Sequence, residues 1–457
     1  MHPRHASSRP PAPPKHRLRI IEHRALKAVA VVVAASALAG FVAVGERVRQ
    51  LNSNITVLKG IDQLIGSDDR PTERATTSAE PDPLDPFGGR AVNILITAID
   101  SREGENRDAV GDSMDTLSND VNMIAHISAD RERVDVMAIP RDTMVAMPAC
   151  TRADGSQTDA SNREQINTAF ALGSSSNAQN KSEGAACVFK TIESVTTIPL
   201  DSVILVDFAG FASVVDALGG VDVCTPEGLT SKKAHLSLEP GSHHLDGLTA
   251  LQYARTRDPR TFDGRSLSDG SDIQRISHQQ QLIATVINEV LASGNLKSIN
   301  KLNTTASAIT KSLYVGSELG SVVGMAGLAY SLRDIKLENI SLFTVPWAPD
   351  SIDANRVKLA SWGTDSRFGG LNAAEIFELI ATDQQIPGTV PYKLANPEAP
   401  SGAASAEPDQ TASQAPDNSP PDGPNAVAVT PEADDDFVTP RTVPTAECKV
   451  EGQGSNG

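Results

Sequence analysis

The sequence predicts an α/β fold: a three-layer α/β/α sandwich with a central mixed β-sheet, preceded by a single transmembrane helix and followed by a disordered tail. Three observations predict it. Short β-branched runs alternate with longer amphipathic runs between residues 91 and 386, the pattern of a sheet covered by helices. Two of those runs are joined only by Ala129-Asp130-Arg131-Glu132, which forces an antiparallel pair, whereas the others are separated by helical segments. The two ends of the chain differ sharply in composition from this middle.

Taken in order, residues 1–27 set basic side chains such as Arg17, Arg19 and Arg24 against one acid, Glu22, and read as a cytoplasmic basic segment. Residues 28–45, Ala28 to Gly45, carry no charge and would span ~27 Å as a helix, enough for a bilayer core. The basic flank places the N-terminus in the cytoplasm and the rest outside, as a single-pass cell-membrane protein. A cleaved signal peptide is the rival, because Ala37-Leu38-Ala39 is a small-x-small site. Val48, Leu51, Ile55 and Leu58 recur at helical spacing and predict that a helix continues past the anchor. Residues 46–90 read as stalk and linker, 91–386 as the folded domain, and 393–457 as an acidic, Pro-rich disordered tail.

Within the domain, strands are expected at Val92–Ile99, Val121–Ser128, Arg133–Ile139, Val203–Asp207, Val221–Cys224 and Ile340–Val345. Helices are expected at Ala186–Thr197, Phe211–Leu218, Asp246–Tyr253 and Ile273–Ala292. Ser271 or Asp272 caps the last of these and Gly294 stops it.

The formal net charge is −17, from 40 Lys plus Arg against 57 Asp plus Glu, which argues against nucleic acid as a partner. CxxC, HExxH, GxSxG and GxxxxGK are all absent, so zincins, elbow-type serine hydrolases and P-loop NTPases are excluded. Chemistry concentrates instead at strand ends. Asp100 follows the first strand, Asp120 precedes the second, and Arg141-Asp142 follow the third after Pro140. If the second strand runs against both neighbours, Asp100, Asp120 and Arg141 emerge at one sheet edge. Two hard carboxylates and a forked guanidinium suit Mg²⁺ beside a phosphate; the plain alternative is solvated turn residues. Arg255, Arg257, Arg275 and Gln279 form a second basic group near the start of the long helix. Its apolar Leu282, Ile283, Val286, Ile287 and Val290 are core or the lining of an apolar tunnel.

Eight strings occur in the order typical of the LytR-CpsA-Psr family, which the chain resembles over roughly residues 91–292. They begin with Asn93–Asp100 plus Arg102, Asn119-Asp120 with Met123–Ser128, and Ile139–Thr143. Ile166–Phe170, Val206–Phe211 and Asp216–Val223 follow. Leu245–Gly247 with Ala250–Arg257, then Gly270–Arg275 with Gln279-Gln280, complete the set. The resemblance implies a membrane-anchored extracellular phosphotransferase that moves a glycopolymer from a polyprenyl-pyrophosphate carrier to peptidoglycan. It matches Asp100 and Asp120 to Mg²⁺-binding acids. It matches Arg102, Arg141, Arg255, Arg257 and Arg275 to arginines around the pyrophosphate, with Gln279 beside them. Asp100 or Asp142 would accept the sugar hydroxyl's proton, although Asp142 could equally only brace Arg141.

The chain departs from the family at Ser118 and His278, where Arg is usual, at Val121, where Thr is usual, and at Ala98-Ile99, where Gly-Ser is usual. Arg107 could substitute from the loop 103–117. These departures raise an alternative, a catalytically weakened member that binds polyprenyl-pyrophosphate glycans as an accessory factor. Outside the membrane disulfides are expected, and Cys150 pairs with Cys187, leaving Cys224 and Cys448. The high Ala content and this cysteine arrangement resemble actinobacterial members. His235, His243 and His244 read as surface residues, not a metal cluster.

Overall fold

The computed structural model describes residues 45–389, apart from 68–69, 72–74, 77–79, 81–82, 84, 101–116, 176–180, 268–272, 292–305, 308, 354 and 362–367. Most of the expected anchor and the whole tail lie outside the described residues. Among the described residues no helix is long and apolar enough to cross a membrane. Contacts divide the chain at Asn54. Before it, residues 45–54 are helical.

The second unit is a mixed α/β fold built on one seven-stranded sheet. Its strands are β1 (Thr56–Val57), β2 (Val92–Asp100), β3 (Ser118–Ile127), β4 (Val134–Ala138), β5 (Ser202–Asp207), β6 (Leu313–Val315) and β7 (Ile340–Thr344). Their order across the sheet is β1-β6-β5-β2-β3-β4-β7. β3 runs antiparallel to both β2 and β4, as the four-residue connection requires. β2 pairs in parallel with β5, and β4 with β7.

The helices are α1 (Lys181–Thr196), α2 (Phe208–Leu218), α3 (Gly247–Ala254), α4 (Ile273–Leu291), α5 (Val322–Ser331) and α6 (Ala373–Ala381). Strand alternation sends successive side chains to opposite faces. Leu95, Ile99, Ile124 and Met137 bury against Val188, Phe189 and Ile192 of α1 and Ile376, Phe377 and Ile380 of α6. Met123, Ala125, Val136 and Ala138 bury on the other face against Ile276 and Ala284 of α4. Each such large apolar side chain contributes about 1.5–3 kcal/mol when fully buried, so both helix layers are held mainly by packing.

Several expected boundaries move. The spacing of Val48, Leu51, Ile55 and Leu58 does not continue as a helix, because Thr56–Val57 leaves it to pair in parallel with Tyr314–Val315. Leu58, Ile61, Leu64 and Ile65, within the expected stalk, are buried in the main core. The helix expected from Ala186 starts at Lys181, since Gly184 is not a break. A Cβ at Gly184 would lie 2.8 Å from the Phe170 ring, so glycine there allows a close helix approach. α2 starts three residues early because Asp207 caps it, accepting from Gly210 N at 2.9 Å. α6 was not expected; Asn372 and Glu375 cap it reciprocally. Cys150 and Cys187 form the expected disulfide, with Cα atoms 5.3 Å apart, and Cys224 is also disulfide-bonded.

Candidate active site

The topology brings the C-terminal ends of β2 and β4 and the N-terminal end of β3 to one sheet edge. Asp100 ends β2 opposite Ser118; its side chain and all of Arg102 and Arg107 lie outside the described residues. Asp120 owes its aim to a β-bulge. The register passes from Ala98 opposite Val121 to Ile99 opposite Asn119, so Asp120 has no partner on β2. Asn119 and Asn122, three residues apart, thereby share a face and are joined by a 2.8 Å hydrogen bond. Asn119 also donates to Ile166 O and accepts from Phe170 N, each at 3.0 Å. Asp120 turns instead toward α4.

Three guanidiniums meet it there. Arg141 Nη1 donates to Asp120 Oδ1 at 2.7 Å. Arg275, in the first turn of α4, places Nη1 3.4 Å from Oδ2 and donates through Nη2 to the Asp120 carbonyl at 3.1 Å. Arg257, just past α3, lies 3.8 Å from Oδ2. Ser118 donates to Oδ1 at 3.0 Å. Burial opposes ionisation of Asp120, yet Arg275, Arg141 and Arg257 outweigh it and hold the carboxyl below the usual aspartate range. Three fixed cations around one carboxylate leave a positive surplus at the sheet edge, which is the electrostatics of an anion site.

The remaining candidates spread around this centre. Asp142 Oδ2 is 3.7 Å from Arg141 Nε, while its Oδ1 accepts from Gln165 Nε2 at 3.0 Å and Arg356 Nη1 at 3.4 Å. Arg255 caps the C-terminus of α3 and lies over the Phe208 ring, 5.0 Å from its centroid. Gln279 donates to Ala254 O at 3.4 Å, tying α4 to the end of α3. His278 is buried against Tyr253, with ring centroids 4.5 Å apart. Leu282 and Val286 pack in the cluster around α3, and Ile283 and Ile287 pack toward the sheet, so the described apolar side of α4 makes core contacts. His244 is exposed, and its ring nitrogens face Asp222 Oδ1 and Gly219 O, both at 2.7 Å. Arg356 and Gln165 carried no sequence signal, because each reaches the site from a strand end without a motif.

Asp120 stays ionised and presents Oδ2, with guanidinium contacts of 3.4 and 3.8 Å, to a hard cation, but among the described residues no group of three or more metal-ligating side chains surrounds it.

The chain is 27% identical over 276 residues to the cell wall biosynthesis protein LcpA of Corynebacterium glutamicum, covering 56% of this chain and 50% of that one. The chain thus spans about half the length of that relative. It is 25% identical over 271 residues to the polyisoprenyl-teichoic acid–peptidoglycan teichoic acid transferase TagT of Bacillus subtilis, covering 58% of this chain and 71% of that one. A LytR-Csp2A-Psr enzyme structure from Actinomyces oris aligns at 18% identity and a TM-score of 0.45, covering 68% of this chain and 96% of that one. The model of the LytR_cpsA_psr family matches residues 64–363, a span that holds the whole sheet from β2 to β7 and every arginine around Asp120. With well over half of its length so matched, the chain belongs to the LytR_cpsA_psr family.

Proposed function

We propose that the protein is a membrane-anchored extracellular phosphotransferase that moves a glycopolymer from a polyprenyl-pyrophosphate carrier to peptidoglycan. The observation that carries this reading is the convergence of Arg141, Arg257 and Arg275, from three separate segments, on Asp120 at one sheet edge. The names of the relatives TagT and LcpA point the same way. The acceptor hydroxyl attacks the glycan-bearing phosphorus, and the phosphorus–oxygen bond to the lipid phosphate breaks. Glycan phosphodiester and lipid monophosphate leave, and the hydroxyl's proton passes to a carboxylate, Asp100 or Asp142. Charge grows on the departing lipid phosphate. Arginines already fixed by Asp120 meet that charge without reorganising, which is where such catalysis gains most. Asp120 and Asp100 would hold Mg²⁺, which when bound supplies further charge neutralisation at the phosphates.

β1 starts at the same sheet edge as Asp120, since it runs parallel to β6 and β6 antiparallel to β5. The weakened, carrier-binding alternative draws on Ser118, which offers Asp120 a hydrogen bond where the family resemblance leads one to expect a cation.

The test incubates the full-length protein in detergent with a polyprenyl-pyrophosphate oligosaccharide and peptidoglycan fragments, with Mg²⁺ or EDTA, and seeks the phosphodiester by mass spectrometry. Mg²⁺-dependent product, lost in Asp120→Ala and Arg141→Ala, supports the transferase. Tight carrier binding without product, restored to turnover by Ser118→Arg, supports the weakened reading. Neither binding nor product refutes both.

A further inference from the structure

Beyond the arginine cluster, one hairpin reaches the site from the far end of the domain. Trp347–Pro349 pairs antiparallel with Val357–Leu359 just after β7. It is fastened to the segment that carries Arg141: Val357 N donates to Asp142 O at 3.2 Å, and Thr143 bridges Val357 in parallel. Its turn is anchored separately by Arg163, whose Nη2 lies 2.9 and 3.1 Å from the two oxygens of Asp350. Arg356, which opens the returning strand, is 35% exposed and has Asp142 Oδ1 at 3.4 Å and Asp353 Oδ2 at 3.8 Å.

The charges therefore form one alternating row: Asp353, Arg356, Asp142, Arg141, Asp120. Within it Asp142 has one hydrogen-bonded oxygen and one that only faces a cation. Oδ1 accepts from Gln165 and Arg356, and Oδ2 faces Arg141 Nε at 3.7 Å. A carboxylate so engaged is poorly disposed to take a proton from an incoming hydroxyl. It is well disposed to fix the rotation of the neighbouring guanidinium, which Asp120 grips at the other end.

We infer that Arg356 is a positioning residue for the transfer reaction: through Asp142 it aims Arg141 at the phosphoryl group, and Asp142 is a brace and not the general base. The inference rests on the transferase reading of the same site. Losing Arg356 leaves Asp142 held by Gln165 alone and loosens the brace behind Arg141, whose far end Asp120 still grips. Phosphate contacts misplaced on that scale cost about tenfold or more.

The experiment compares full-length Arg356→Ala, Arg356→Lys, Asp142→Asn and Arg163→Ala with the parent, reading kcat/KM against pH and the affinity for farnesyl pyrophosphate. Arg356→Ala is expected to lose about tenfold in kcat/KM and several-fold in farnesyl pyrophosphate affinity, and Arg356→Lys to regain most of both. Asp142→Asn is expected to lower kcat while keeping the acid limb of the pH profile. Arg163→Ala loosens the hairpin that carries Arg356, and is expected to show a smaller loss in the same direction. Parental values in Arg356→Ala, or a loss in Arg163→Ala greater than in Arg356→Ala, overturn the role of Arg356. Disappearance of the acid limb in Asp142→Asn overturns the brace. If the parent binds farnesyl pyrophosphate but forms no product from the polyprenyl-pyrophosphate oligosaccharide and peptidoglycan fragments, the transferase reading fails, and the affinities alone decide the positioning role.

Discussion

Arg275→Met isolates the guanidinium that joins α4 to the bulge in β3. Methionine keeps the length and apolar stem of the side chain, which is only 3% exposed. The change removes a cation 3.4 Å from Asp120 Oδ2 and a hydrogen bond of 3.1 Å to the Asp120 carbonyl. At an effective dielectric of ~20, unit charges at that separation attract by about 5 kcal/mol. Returning a buried guanidinium to water recovers several kcal/mol, so the net cost is about 2 kcal/mol. For a domain of about 300 residues that corresponds to a fall of about 3 °C in melting temperature. Differential scanning calorimetry at low and high salt measures it. The shift is expected to be nearly independent of salt, because Asp120 is itself only 13% exposed. Arg141 and Arg257 remain to hold Asp120 ionised, which limits the loss. If the proposed transferase reading holds, turnover is expected to fall about 100-fold, since one of the guanidiniums proposed to meet developing phosphate charge disappears. An unchanged melting temperature together with unchanged turnover refutes the argument. A loss of stability that vanishes in high salt refutes the claim that the contact is shielded.

Three further outcomes follow from packing and charge. The Cys150–Cys187 bond closes a 37-residue separation, so the double Cys→Ala variant is expected to lose about 3–4 kcal/mol in denaturant titration under non-reducing conditions. Gly184→Ala forces a methyl to within 2.8 Å of the Phe170 ring and is expected to cost about 1–3 kcal/mol by the same titration. Burial raises the pKa of Asp383, but hydrogen bonds from His126 and Ala129 and the nearby Arg133 outweigh it and lower the carboxyl below its usual range. The stability it contributes is therefore present above about pH 4 and lost as pH falls further. Asp383 has φ +57°, a conformation asparagine tolerates, so Asp383→Asn removes charge without backbone strain. Unfolding free energy measured against pH is expected to be lower in this variant at neutral pH and flatter below about pH 4.

Much of the fold is legible locally. The apolar runs of β2, β3, β4 and β7 mark strands buried on both faces, and a four-residue connection leaves β3 and β4 no arrangement but antiparallel. That single constraint already sends Asp120 and Arg141 to one edge, with Asp100 ending the neighbouring strand. Strand pairs such as β1 and β6, two and three residues long, are too short to carry a period and exist only because the sheet supplies partners. Gly184 reads locally as a helix breaker, yet packing against Phe170 makes it a helix residue. Other features have no local signal at all. The bulge that frees Asp120 depends on the register between two strands, not on the residues flanking it. Arg356 meets Asp142 across 214 positions and His126 meets Asp383 across 257. The sequence by itself determined the residue types, the strand faces and the common edge, because these follow from period and connection length. Only the tertiary structure decided which cations touch which carboxylates, because angstrom-scale side-chain placement is set by the summed packing of segments distant in the chain.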